Sequence, residues 1–271
     1  MYRKIGKYRT FNDNIRLASY LSTTAGIVNV ASIMAFYVLT TNVTGHMAIL
    51  SEEIAKNHWH QVFILAVWLF MFIFGSFVST FFSLVIGKKN PKPYNYATIL
   101  FEAILLFGIG IYGMYFYQER LIEAEWLSAI LLFSMGLQNA LVTHISNAVV
   151  RTTHLTGLFT DLGIELAALF NADTDKKVLQ KKLKLRFTIL FFYFIGGVLG
   201  GYAFLHYGFK VFYLAAGILL FSLGYDNLKY IVLKIKRKLL KKALGAKRYE
   251  KVRESFAFSG SDADRNILNS K

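Results

Sequence analysis

Gly26-Ile27-Val28-Asn29, then an apolar run, then Thr41-Asn42-Val43-Thr44-Gly45: this succession decides the fold, because the 271-residue chain contains it twice. The second copy reads Gly136-Leu137-Gln138-Asn139 and then Thr153-His154-Leu155-Thr156-Gly157, in the same order with a slightly longer gap. Further on, Phe74-Gly75-Ser76-Phe77-Val78-Ser79 is answered by Ile195-Gly196-Gly197-Val198-Leu199-Gly200. Duplicated membrane units commonly place a transport site between their two halves. The repeat therefore bears on function as well as fold.

Composition places the duplicated unit in a bilayer. Apolar residues make up 55% of the chain and aromatic residues 16%. Runs of about 18 or more apolar residues with few charges read as membrane spans. Six spans are expected, roughly Leu17 to Leu39, Val62 to Ile86, Ala97 to Tyr117, Trp126 to Val150, Phe187 to His206 and Val211 to Ile231. Helix is the expected conformation, since backbone groups in lipid must be satisfied within the segment. The absence of cysteine excludes disulfide and thiolate chemistry. The two prolines, in Pro91-Lys92-Pro93, predict a tight turn between spans. No small-residue cleavage site follows the first apolar stretch, which reads as a retained span.

The net charge of +15 is placed by orientation in a membrane, not by nucleic acid. With the N-terminus inside, the inner segments 1–16, 87–95, 151–186 and the tail from 229 hold 28 of the 31 Lys and Arg. The outer segments hold Lys56, Arg120 and Lys210, together with Glu52, Glu53, Glu119, Glu123 and Glu125. Cytoplasmic loops carry the excess of Lys and Arg, so both termini are expected in the cytoplasm of a cell whose plasma or inner membrane holds the protein. An odd number of spans per copy makes the second copy enter from the opposite side. The expected fold is thus an all-α membrane protein of two inverted three-helix repeats, 17–117 and 126–231, between a basic N-terminus, 1–16, and a basic tail, 232–271. From Lys229 the tail mixes basic and apolar residues at helical spacing, as a stop-transfer anchor or a helix on the inner lipid surface would. The last residues, from Ser259, are small and polar and expected to be disordered.

These motifs, with Ala25, His46-Met47, Met135, Ala140 and Leu158-Phe159-Thr160-Asp161-Leu162-Gly163, resemble the YoaK family of bacterial integral membrane proteins, also called the DUF1275 family. The resemblance covers about 17 to 225. His46 stands where the family usually has Asn after the first Thr-Gly. The resemblance implies a bacterial integral membrane protein of a largely uncharacterised family, for which transport is a suggested role and no substrate is known.

Candidate chemistry concentrates at the repeated elements. Gly, Thr and Asn are poor choices for a lipid-facing helix interior. After each long apolar run the chain changes character at these residues, and helix-like stretches follow, Met47 to Ala55 and Leu158 to Phe170. The pattern predicts broken or capped helices, with Thr44 and Thr156 as N-caps and the free N–H groups facing a ligand. Asn29, Thr41, Thr44, Gly45, Gln138, Asn139, Thr153, Thr156 and Gly157 form the expected substrate site for a small polar or anionic solute. The competing structural reading makes Gly45 and Gly157 packing or capping residues and turns the amides into interhelical hydrogen bonds. Glu102, His144, Arg151 and Asp161 are the candidates for a proton or charge role, since ionisable groups are costly in a span.

No nucleophile elbow, P-loop, HExxH or nucleotide-binding glycine pattern is present, so no catalytic residue, metal or cofactor is expected. His46, His58 and His60 lack the spacing of a metal-binding helix pair. The expected function is a small-solute transporter or permease, in the lipid bilayer as a homodimer, with no nucleic-acid partner and no enzyme activity. The rivals are a non-transporting assembly protein and, third, a membrane enzyme built on Glu102, His144 or Asp161.

Overall fold

A computed structural model describes residues 2, 6, 9–86, 92–171 and 175–244, and among the described residues there is no strand. Eight helices follow in order: α1 Phe11–Phe36, α2 Val43–Ala55, α3 Trp59–Phe81, α4 Lys92–Tyr115, α5 Leu121–Ser146, α6 Leu155–Ala167, α7 Lys176–Tyr207 and α8 Val211–Leu244. A π-helical turn, Phe82–Ile86, extends α3, and 3-10 turns Ala168–Phe170 and Gly208–Lys210 follow α6 and α7. Five stretches are long and apolar enough to cross a membrane: Phe11–Phe36, Trp59–Val85, Tyr94–Tyr115, Leu121–Ser146 and Lys176–Leu228. The 53 residues of the last include the 3-10 turn, where Gly208 has φ +55, so α7 and α8 are separate helices.

Local chemistry explains the helix limits and corrects several expectations. A Thr10–Asp13 capping box starts α1 six residues before the expected Leu17: Asp13 N donates to Thr10 Oγ1 at 3.3 Å, and Thr10 N donates to Asp13 Oδ2 at 3.3 Å. Lys92 opens α4, so Pro93 lies in a first helical turn, where a missing N–H is tolerated, and not in the expected tight turn. Pro91, Lys88 and Lys89 lie outside the described residues. α5 begins at Leu121 and takes in Glu123 and Glu125, which were expected in a loop. α7 begins at Lys176 behind an Asp175 cap that accepts from Lys177 N and Val178 N. The basic stretch up to Arg186 is therefore helical.

The chain divides into two compact units, Met1–Phe221 and Ser222–Lys271. In the second unit α8 runs on to Leu244 and exposes Leu228, Ile231, Val232, Ile235 and Leu239 at helical spacing. Residues 245–271, including the polar end from Ser259, lie outside the described residues.

In the first unit, α1 and α5 are the mostly buried helices and α3 is mostly exposed. Among the contacts of the described residues, the two largest helix–helix interfaces are α1 with α7 and α3 with α5. Both are backbone crossings that only glycine permits. A β-carbon on Gly26 would overlap the Tyr193 carbonyl, and one on Gly196 the Thr23 carbonyl. Likewise Gly136 meets the Phe72 carbonyl and Gly75 the Phe133 carbonyl. Small residues allow this close approach in membranes, where lipid supplies no hydrophobic drive between helices. The exposed side of these helices carries Phe63, Phe70, Ile73, Phe77, Phe187, Phe191 and Phe194, an apolar surface that a bilayer solvates.

Candidate functional site

The repeated elements meet at a cavity of about 630 Å³. It is built from corresponding positions of the two sequence copies. Asn29 of α1 and Asn139 of α5 line it. So do Thr41 and Thr153, Asn42 and His154, Val43 and Leu155, and Thr44 and Thr156, which bring the N-termini of α2 and α6 to one space. Leu39 and Arg151 occupy matching places before the two breaks, and Phe72 and Tyr193 stand three residues ahead of Gly75 and Gly196. Thr143 completes the polar wall.

Why the chain breaks there is visible residue by residue. α1 and α5 have 26 residues each and close on a left-handed residue, Tyr37 at φ 60 and Asn147 at φ 54. Such a cap stops a helix and frees the chain to turn. α2 and α6 have 13 residues each. The cap of α2 is Asn42, whose Oδ1 accepts from Gly45 N at 3.0 Å. The cap position of α6 is His154, which makes no side-chain capping hydrogen bond. Thr44 and Thr156 are therefore not the caps but first-turn residues. Gly45 and Gly157 do not line the cavity. Their role is spatial, since a β-carbon on either would strike the side chain of Asn42 or His154.

The first break is tied down by hydrogen bonds. Thr41 N and Thr40 Oγ1 donate to Asn29 Oδ1 at 3.2 and 3.3 Å. Thr41 Oγ1 and the Tyr193 hydroxyl lie 2.9 Å apart and share a hydrogen bond. In the second half the corresponding groups are unoccupied: Asn139, Arg151 and Thr153 make no side-chain hydrogen bond among the described residues. Gln138 does not line the cavity. It is buried and its Nε2 donates to Leu21 O at 2.9 Å, the interhelical bond that the structural reading assigned to the amides.

Of the charge candidates, only Arg151 lines this cavity. Glu102 is fully buried in α4, and both its carboxyl oxygens lack a hydrogen-bond partner among the described residues. His144 is half-buried in the last turn of α5, beside Thr143 but not on the cavity wall. Asp161 lies inside α6 and pairs with Arg186 at 3.0 Å, as does Glu165 at 3.0 Å. Asp161 and Thr160 cap nothing, because Thr160 Oγ1 donates to Thr156 O within the same helix. His46 is buried, with Nε2 2.7 Å from the Leu39 carbonyl and its ring edge on Trp68.

Asn42, His154, Phe72, Tyr193 and Thr143 were missed by sequence reasoning. The repeat held the signal for four of them. Asn42 and His154 sit inside the quoted elements, and Phe72 and Tyr193 keep one register to the paired glycines. A further echo joins Ile104-Leu105-Leu106-Phe107 in α4 to Ile218-Leu219-Leu220-Phe221 in α8.

Comparison with known proteins agrees with the motifs. Residues 17–225 match the family described as "Protein of unknown function (DUF1275)". A curated relative, the "UPF0700 transmembrane protein YoaK" of Bacillus subtilis (strain 168), is 26% identical over 184 residues, 68% of this chain and 80% of that protein. No solved structure matches.

Proposed function

We propose that this chain, which belongs to the DUF1275 family, is a membrane protein that binds a small polar or anionic solute between two inverted three-helix repeats and passes it across the bilayer. The carrying observation is the cavity lined by paired positions of both copies, at the N-termini of two short helices. Half-helix N-termini aimed at a midplane site are a recurrent device of transporters with inverted repeats.

Several features support the repeat. α1 with α7 and α3 with α5 are the crossings that a two-fold axis relating the copies exchanges, and each uses the matched glycines. α2 packs on α3, and α6 on α7. The turn at Gly208–Lys210, which separates α7 from α8, supports a sixth span. The distribution of Lys and Arg supports both termini inside. Non-helical backbone at membrane depth is tolerated where it lines a cavity, as these two breaks do.

The assembly reading loses its main support, because Gly26, Gly75, Gly136 and Gly196 are occupied by contacts within the chain. Both cavity walls come from one chain, so the site needs no second subunit. Glu102, His144 and Asp161 do not converge on this cavity among the described residues, which supports transport over the enzymatic rival built on them.

The test is the melting temperature of the detergent-purified protein against a panel of neutral and anionic metabolites, since a ligand of the folded state stabilises it by mass action. A stabilising compound whose effect is lost in Thr41→Val and Asn139→Leu is the expected result. A ligand that stabilises wild type and both variants equally refutes this site.

A further inference from the structure

We infer that the solute is a small anion, and that it reaches the cavity past Arg151 from a cationic recess between α6 and α7. The inference rests on the cavity being a solute site, as proposed above.

The charge of the wall comes first. The cavity-lining residues include no carboxylate. The two copies supply matching positions but unlike groups: Leu39 answers Arg151, Asn42 answers His154, and Phe72 answers Tyr193. Every ionisable group on the wall therefore comes from the second copy. Arg151 makes no ion pair or side-chain hydrogen bond among the described residues. Beside it Thr153 is only 8% exposed, yet its hydroxyl has no partner among them either. A guanidinium offers a planar fork of donors suited to an oxyanion. The free N–H groups and positive ends of α2 and α6 act in the same sense.

The approach to the wall comes second. A recess of about 370 Å³ shares Arg151 and His154 with the cavity and continues to Asp161, Lys182 and Arg186. The first copy forms a counterpart of about 290 Å³, in which Ile49, Gln61 and Leu65 hold the places of Asp161, Lys182 and Arg186. That counterpart shares no lining residue with the cavity. Among the described residues it is lined by Glu53, which pairs with Lys56 and His58, and Glu125, and by no Lys or Arg. Near it, the buried His46 ring holds the Leu39 carbonyl at 2.7 Å. Of these two corresponding recesses, the one that adjoins the cavity holds Arg151 and Lys182 beside the paired Arg186, and the detached one holds carboxylates; the other recess that adjoins the cavity, at Leu155 and Tyr193, is apolar. Mouths of one charge sign concentrate counter-ions of the other.

The experiment uses the full chain in vesicles of phosphatidylethanolamine and phosphatidylglycerol. Osmotic swelling is followed in potassium nitrate, potassium acetate or potassium phosphate, with valinomycin to carry the potassium, and separately in glycerol. Wild-type protein is expected to pass at least one of the three anions faster than glycerol. Arg151→Leu, which copies the residue at position 39, is expected to slow that anion by about tenfold or more, and Arg151→Lys to recover most of the rate. Thr153→Val is a second variant that leaves all charges in place, and it is expected to slow the same anion. Glycerol flux without anion flux, or anion flux indifferent to both Arg151→Leu and Thr153→Val, overturns the anion and leaves the cavity as a neutral-solute site. Absence of flux for every probe, from protein with an intact melting transition, overturns the anion and the transport reading together.

Discussion

At the scale of single residues, the glycines separate into two kinds that the sequence does not distinguish. Gly136 and Gly75 sit where a β-carbon would overlap a backbone carbonyl of the facing helix. A backbone cannot swing aside as a side chain can, so the helices must part. Gly136→Ala or Gly75→Ala is expected to cost about 1–3 kcal/mol, the usual range for overpacking a tight contact. Gly108 and Gly163 are exposed helical residues with nothing near the place of a β-carbon. Gly108→Ala or Gly163→Ala should gain about 0.5–1 kcal/mol from helix propensity alone. Reversible unfolding in mixed micelles reads both, and a loss of stability at Gly108 equal to that at Gly136 would remove the crossing argument. The same reasoning explains why Gly45 and Gly157 follow the breaks without lining the cavity. They clear room for the side chain three residues earlier to fold back over the helix end.

At the scale of elements, the two short helices differ at their first residue. α2 has the Asn42 cap, whereas α6 begins at His154 without a side-chain cap. Asn42→Ala is expected to destabilise by about 1 kcal/mol, and His154→Asn to gain up to about 1 kcal/mol by giving α6 the cap of α2. Amide exchange in the first turns of the two helices measures each change locally. α6 is held to α7 by Arg186, which Asp161 and Glu165 share at 3.0 Å each. Arg186→Met leaves the buried Glu165 carboxylate unpaired and should cost about 1–3 kcal/mol, whereas Asp161→Asn, at an exposed partner, should cost under about 1 kcal/mol. A melting temperature equally insensitive to both would mean the bridge holds nothing. How far these elements could be read in advance follows from their chemistry. Both breaks, and the gathering of six of the nine singled-out residues around one cavity, follow from the repeat, because Gly, Thr and Asn in an apolar run have few other uses. Helix limits do not, since hydropathy measures apolar length and not helix length, and charged ends such as Lys176 to Arg186 stay helical. The caps were misplaced onto Thr44 and Thr156 because Thr is a good cap in isolation. Only the space left by Gly45 shows that Asn42 reaches the helix end first. Tyr193 and Phe72 come from distant helices, and no periodicity within a span tells which of its faces meets a break.

At the scale of the whole molecule, the proposed topology and the proposed pathway constrain each other. Two inverted copies, as proposed, would place α2 and α6 on opposite sides of the midplane, with their N-termini meeting at the cavity. In the proposed topology the Lys and Arg count would put the recess beside Lys182 and Arg186 on the cytoplasmic side and its acidic counterpart outside. An anion would meet the continuous recess from the cytoplasm, and crossing would require the copies to exchange arrangements so that the outer recess joins the cavity. The natural absence of cysteine makes the orientation directly measurable. Asn57→Cys lies at the exposed end of α2, and Asp175→Cys at the exposed start of α7. A membrane-impermeant maleimide added to intact cells should label Asn57→Cys at once, and Asp175→Cys only after permeabilisation. Labelling of both from outside would place an even number of crossings between them. The second copy would then run parallel to the first, and the shared cavity could not be the meeting point of two oppositely directed half-helices. Labelling of Asp175→Cys alone would invert the molecule and turn the basic recess outward, making it a mouth for uptake. The same two variants therefore decide the fold's symmetry and the side from which the pathway opens.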